Sequence, residues 1–149
     1  MCVLRVTGEQ LDVDQQVAVS GLTPYKVFRA GEPRRMSQPD GERYGRSGFT
    51  VEVSRGSWSS LDEQVNDAIR FLKQHEHALT KLRGDFGVED MRLDFRVDLR
   101  IDRKTVFAQF DYFPPELVSR AGALGLGLEL SVYPKDLEEL ARARQTGRS

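Results

Sequence analysis

The chain has 149 residues, with 22 Lys and Arg against 23 Asp and Glu and a formal net charge of −1. Hydrophobic types make up 39% and aromatic types 9%, enough for one core and too little for a membrane protein. Near-neutral charge at this composition argues against a disordered tail and against a strongly basic protein that coats nucleic acid.

Residues 2–7 alternate and are rich in β-formers, which predicts a first strand. Asp12 is placed to cap a short helix over 12–19, and Gly21 to stop it. Tyr25 to Arg29 read as a second strand. Residues 31–47, dense in Gly, Pro, Ser and Asp, have no apolar period and form a loop. Loops of this length in a compact domain tend to be functional or disordered. A third strand over 49–53 follows.

Leu61, Val65, Ala68, Ile69, Leu72, Leu79 and Leu82 recur at spacings of three and four, predicting one amphipathic helix over 60–82. Ser59 or Ser60 supplies its cap, and Asp62 and Glu63 suit the first turn. From Met91 to Ile101 every odd position is apolar, while Arg92, Asp94, Arg96, Asp98, Arg100 and Asp102 fill the even ones. That pattern describes a half-buried antiparallel strand with a charged outer face. A turn at 103–104 would lead into another strand over 105–110. Pro114 and Pro115 start a short helix over 116–123, a last strand covers 126–133, and 134–145 could form a terminal helix.

The order β-α-β-β-α-β-β-α-β predicts an α+β domain over 1–133, with 134–149 as a C-terminal helix or tail. Its mainly antiparallel sheet has about six strands, with helices on one face, and is ferredoxin-like in its first six elements. Residues 3–28 and 106–133 resemble each other as strand, short helix, Gly-Leu and strand. The one cysteine, Cys2, leaves no intramolecular disulfide and no thiolate cluster. The N-terminus lacks the build of a signal peptide, and no apolar run nears the roughly 20 residues that span a bilayer. A soluble, cytoplasmic protein that does not enter a membrane is expected.

Between Pro24 and Arg46, six basic residues face three acidic ones, with Tyr25, Phe28 and Tyr44 interleaved. Arg34, Arg35, Arg43, Tyr44 and Arg46 are the candidate binding residues, suited to an acidic protein surface, a phosphate or an RNA strand. Arg96 and Arg100 on the alternating strand form a candidate second patch, although that strand reads first as a solvated, self-neutralising face. Trp58 is expected to plug the end of the core under the long helix. His75 and His77, two residues apart on a helix, point about 200° from each other and cannot share a metal. Gly122-Ala123-Leu124-Gly125-Leu126-Gly127 closes a helix and opens a strand. That is the reverse of a dinucleotide fingerprint, so a helix C-cap is expected there. No nucleophile elbow or spaced carboxylate pair occurs, and neither a catalytic residue nor a cofactor is assigned.

The Gly21-Leu22-Thr23-Pro24 step, the Gly31 turn, Trp58 before an amphipathic helix, and Glu116-Leu117-Val118, Leu124-Gly125 and Leu130-Ser131-Val132-Tyr133 together carry a resemblance. Over about residues 2–133 the chain resembles an uncharacterised bacterial family, the domain of unknown function numbered 4279. The resemblance implies a small cytoplasmic protein without an assigned reaction, and some relatives are similar to immunity proteins that neutralise toxins by binding. It brings no catalytic residues, and the Arg-rich loop is not part of it. The resulting expectation is a non-enzymatic protein-binding domain, of an immunity or accessory kind, whose partner is another protein. The alternatives are a nucleic-acid or phosphate binder using the 31–47 loop, and an undetected small enzyme.

Overall fold

The computed structural model describes residues 1–102, 104–134 and 137. These form five strands and four helices: β1 (Cys2–Gly8), α1 (Val13–Ser20), β2 (Lys26–Phe28), β3 (Ser47–Ser54), α2 (Leu61–Gln74), α3 (Glu76–Gly84), β4 (Asp90–Asp98), α4 (Pro115–Ala123) and β5 (Gly127–Tyr133). The sheet order is β2-β3-β1-β4-β5. All neighbours are antiparallel except β4 and β5, which are parallel. Strand β3 lies between β1 and β2, which is the split arrangement expected of the first elements. The sheet as a whole is five-stranded and mixed, not six-stranded and antiparallel. The expected terminal helix lies outside the described residues apart from Pro134 and Leu137.

Local signals explain most elements. The Asp12 carboxylate accepts the Gln15 N–H at 3.0 Å, and Gly21 closes α1 with its N–H on the Val17 carbonyl. Gly125, at φ 69°, ends α4: its N–H bonds to the Gly122 carbonyl and that of Leu126 to Ala121. This double closure is the Schellman pattern, in which a left-handed residue follows the helix. The glycine cluster is therefore a helix stop leading into β5. The long helix is broken at His75, whose backbone leaves the helical region at φ −112°. The apolar stripe lapses between Leu72 and Leu79, so nothing holds one straight axis there. As a result α2 packs on β3, β4 and α4, whereas α3 packs on α1.

Two further expectations fail for identifiable reasons. Strand β4 stops at Asp98, and Leu99 and Ile101 are exposed at 41% and 40%. Residues 105–110 form no strand. The Gln109 side-chain amide takes the place of a backbone ladder, accepting the Arg100 N–H at 2.9 Å and donating to the Asp98 carbonyl at 3.2 Å. A turn does exist beside 104, where the Asp102 carboxylate accepts the N–H groups of Lys104, Thr105 and Val106. Without a strand at 105–110, the resemblance between the two β-α-β halves reduces to α4 and β5.

The helices lie on one face of the sheet. Leu4, Val6, Phe49, Val51, Met91, Leu93, Phe95 and Val97 meet Ala68, Ile69, Leu72, Leu79, Leu82 and Leu117 in a single core. The opposite face carries the charged residues of β4. There Asp94 is fully buried, accepting Arg5 Nη2 and Ser131 Oγ at 2.6 Å each, with Arg96 Nε 3.8 Å away. Arg92 bridges Asp90 and Glu129, and these two hydrogen-bonded carboxylates hold its guanidinium above its ordinary range. Trp58 is buried but packs on Tyr133, with ring centres 4.9 Å apart, on this helix-free side and not under α2. Gln64 ties the corner together, its Nε2 donating to the Ser57 and Arg96 carbonyls.

The edge of the face that carries the site depends on a missing side chain. Gly48 pairs with Phe28 across β2 and β3. A methyl group at Gly48 would stand 2.5 Å from the Val6 carbonyl oxygen and 2.6 Å from Phe28 Cζ. We expect Gly48→Ala to lower unfolding stability by about 2–3 kcal/mol, the upper part of the overpacking range, as a shift of the urea midpoint. Removing one partner of a buried ion pair ordinarily costs about 3–5 kcal/mol. Because the Arg5 side chain is 38% exposed and can turn to water, we expect Asp94→Ala to cost about 2–3 kcal/mol in the same titration. Asp94→Asn, which keeps an acceptor for Ser131, should cost less.

Candidate functional site

The 31–47 segment is an ordered arm. Leaving β2, the chain turns at Arg29, whose Nη2 donates to both Asp14 oxygens. It then folds on itself: Gly31 N–H bonds to the Tyr44 carbonyl, Tyr44 N–H to Glu32, and Arg34 N–H to Glu42, all at 2.8–2.9 Å. Pro33 and Arg43 form an isolated bridge within this ladder. The segment has no apolar period because polar backbone pairing and ring stacking, not core burial, hold it.

The arm is anchored to the sheet through aromatic rings. Phe28 lies over Gly48, and Tyr44 stacks on Phe28 with centroids 4.5 Å apart and planes 25° apart. Lys26 Nζ stands 5.5 Å from the Tyr44 ring centre, and the Arg34 guanidinium 5.7 Å from it. Ring faces attract such cations and hold them in place. The result is a half-open cleft of about 550 Å³ lined by Lys26, Arg34, Arg35, Gln38, Glu42 and Tyr44.

Three of the sequence candidates, Arg34, Arg35 and Tyr44, therefore meet in one place. Arg43 does not join them: its guanidinium donates to the Gly31 and Pro39 carbonyls and braces the arm from within. Arg46 is also elsewhere, 3.1 Å from Glu89 and 3.8 Å from Glu9. The second patch does not assemble. Arg96 leans on Asp94 and Met1 Sδ, while Arg100 donates to Asp111 at 2.7 Å. Lys26 and Gln38 are the lining residues that sequence reasoning did not single out. The alternation of β2 does place Lys26 on the same face as Phe28, a signal that could have paired it with Tyr44.

Charge in the cleft is unbalanced. Glu42 accepts Arg34 at 3.2 Å, but Lys26 and Arg35 have no carboxylate partner among the described residues. The lining has no histidine, cysteine or second carboxylate. It offers positive charge and hydrogen-bond donors, with Glu42 as its one carboxylate. Cys2 is buried in β1, and burial pushes its thiol far above the ordinary range, which favours the neutral thiol. His75 packs its ring 4.5 Å from Phe71. No group of three metal-ligating side chains is brought together among the described residues. No helix of the described residues is long and apolar enough to cross a membrane.

No curated protein and no solved structure matches the chain. A family model, described as a domain of unknown function, DUF4279, matches residues 1–135, which takes in every strand and helix described above. The sheet, the helical layer and the basic cleft thus all fall within the matched region, and the chain belongs to the DUF4279 family.

Proposed function

We propose that the chain is a non-enzymatic protein-binding domain that holds an acidic segment of a partner protein in the cleft between β2 and the arm. One observation carries this reading: Lys26 and Arg35, neither with a carboxylate partner among the described residues, converge with Arg34, Gln38 and Tyr44, while the one lining carboxylate, Glu42, is taken up by Arg34. An acidic segment would supply the missing charges, and Gln38 and the Tyr44 hydroxyl would add hydrogen bonds that fix its orientation. The preformed arm means that little ordering is needed on binding, which favours affinity. An immunity or accessory role, in which contact itself neutralises or recruits a partner, fits such a surface.

A nucleic-acid or phosphate ligand is the second reading, and the same unpaired cations favour it. It is the weaker of the two. Single-strand binders present a series of aromatic faces to successive bases. Here one tyrosine lines the cleft, and its ring is already engaged by Phe28, Lys26 and Arg34.

Binding to an array of Asp- and Glu-rich peptides, followed by fluorescence titration, tests the proposal. Arg35→Glu and Lys26→Glu should each weaken the best peptide by at least about tenfold. Lys81→Glu, an equal charge change on exposed α3, should leave it unchanged. Equal binding by all variants, or tighter and steeply salt-dependent binding to single-stranded RNA, overturns the protein-binding reading.

A further inference from the structure

The two edges of the sheet are guarded differently. At one, β2 is three residues long, begins with Lys26 and is followed by the arm. Short, charged edges resist pairing with other chains. At the other, β5 runs seven residues in unbroken register with β4. It contains no proline, no lysine and no bulge, and its single charge, Glu129, is already held by Arg92.

The backbone of β5 shows what this edge offers. Within a strand, the N–H and C=O of one residue point to the same side, and successive residues alternate. The Tyr133 carbonyl accepts the Leu99 N–H on the β4 side. Gly127, Glu129, Ser131 and Tyr133 therefore face β4, and Leu128, Leu130 and Val132 turn their backbone groups outward. Among the described residues no backbone group meets them.

We infer that β5 is a homodimer interface, in which two copies pair their β5 strands antiparallel about a two-fold axis through Leu130. This register sets Leu130 opposite its own copy and Leu128 opposite the second copy's Val132. All three outward N–H groups of each chain then find a carbonyl. On the helix side, Val132, exposed at 46%, gains an apolar neighbour. On the other side Glu129 lies opposite Ser131, so no like charges meet.

Neighbouring registers are worse. Moving the axis to Glu129 opposes that carboxylate to itself. Moving it to Ser131 puts Leu128 opposite Pro134, which has no N–H to give. Self-complementarity of this kind is what a two-fold interface demands, and on that ground a second copy of the chain is taken as the occupant. The interface uses neither Lys26 nor the arm, which lie at the opposite edge of the sheet. It therefore stands or falls independently of the cleft.

Native mass spectrometry and sedimentation of the full chain should give twice the 16.9 kDa of one copy. Val132→Pro should raise the dimer dissociation constant by at least about tenfold. Because the Val132 N–H points outward, that proline removes no bond to β4, and the melting temperature of the monomer should barely move. Leu130→Cys should give a covalent dimer under mild oxidation and Leu128→Cys should not, with buried Cys2 silent in both. A wild-type chain that stays monomeric at about 100 µM overturns the inference, as does a dimer that Val132→Pro leaves intact. Cross-linking through Leu128→Cys alone overturns the register. A monomer whose Leu128, Leu130 and Val132 amides resist hydrogen exchange would show another part of the chain covering the edge, and also overturns it.

Discussion

Phe28 can lie across the β2–β3 ladder only because the residue opposite it, Gly48, has no side chain. Everything distinctive about the arm follows from that contact. Tyr44 needs the Phe28 ring to stack on, Lys26 and Arg34 gather at the stacked rings, and the cleft is the space those cations enclose. The order of dependence runs from a van der Waals vacancy to an aromatic pair to an electrostatic site. Backbone pairing from Gly31 to Tyr44 then holds the arm as one piece.

The charged face of β4 illustrates how alternation can mislead about solvent. Within the strand Arg92 pairs with Asp90, but Asp94 takes Arg5 from β1, Arg92 also reaches Glu129 of β5, and Arg100 turns to Asp111. Nor is the face uniformly wet. Asp94 is fully buried at the middle of the strand, and its two oxygens are met from three directions by Arg5, Ser131 and Arg96. Such a carboxylate is tolerable only while its partners stay in place. It therefore ties together three strands that are distant in sequence: β1, β4 and β5.

Elements with strong local signals were readable directly. Asp12 and Gly21 bracket α1, the proline pair opens α4, Gly125 closes it, and the residue types of β3 and β5 alternate between apolar and polar over most of their length. What could not be read was decided by contacts remote in sequence. Nothing local says that β5 runs parallel to β4, because their pairing is set by the α4 crossover. The apolar Val106, Phe107 and Phe110 suggest a strand, but Gln109 has already occupied the β4 terminus with its side chain. At the site, charge counting found Arg34 and Arg35 but also picked Arg43 and Arg46. Composition registers a guanidinium and not the carbonyl or carboxylate that consumes it.

The position of β1 in the sheet has a bearing on how the chain is made. Its partners are β3 and β4, and its register with β4 sets Val3 against Asp94 and Leu4 against Leu93. During synthesis the first strand thus emerges long before its second neighbour exists. At roughly 5–20 residues per second, the wait is on the order of 5–20 s. Through that interval Cys2, Leu4 and Val6 can pair with β3 while one edge of the nascent sheet stays open. Such nonlocal closure slows folding and prolongs exposure to aggregation or to a chaperone. The most buried strand of the finished domain is therefore the one whose protection arrives late in the life of the nascent chain.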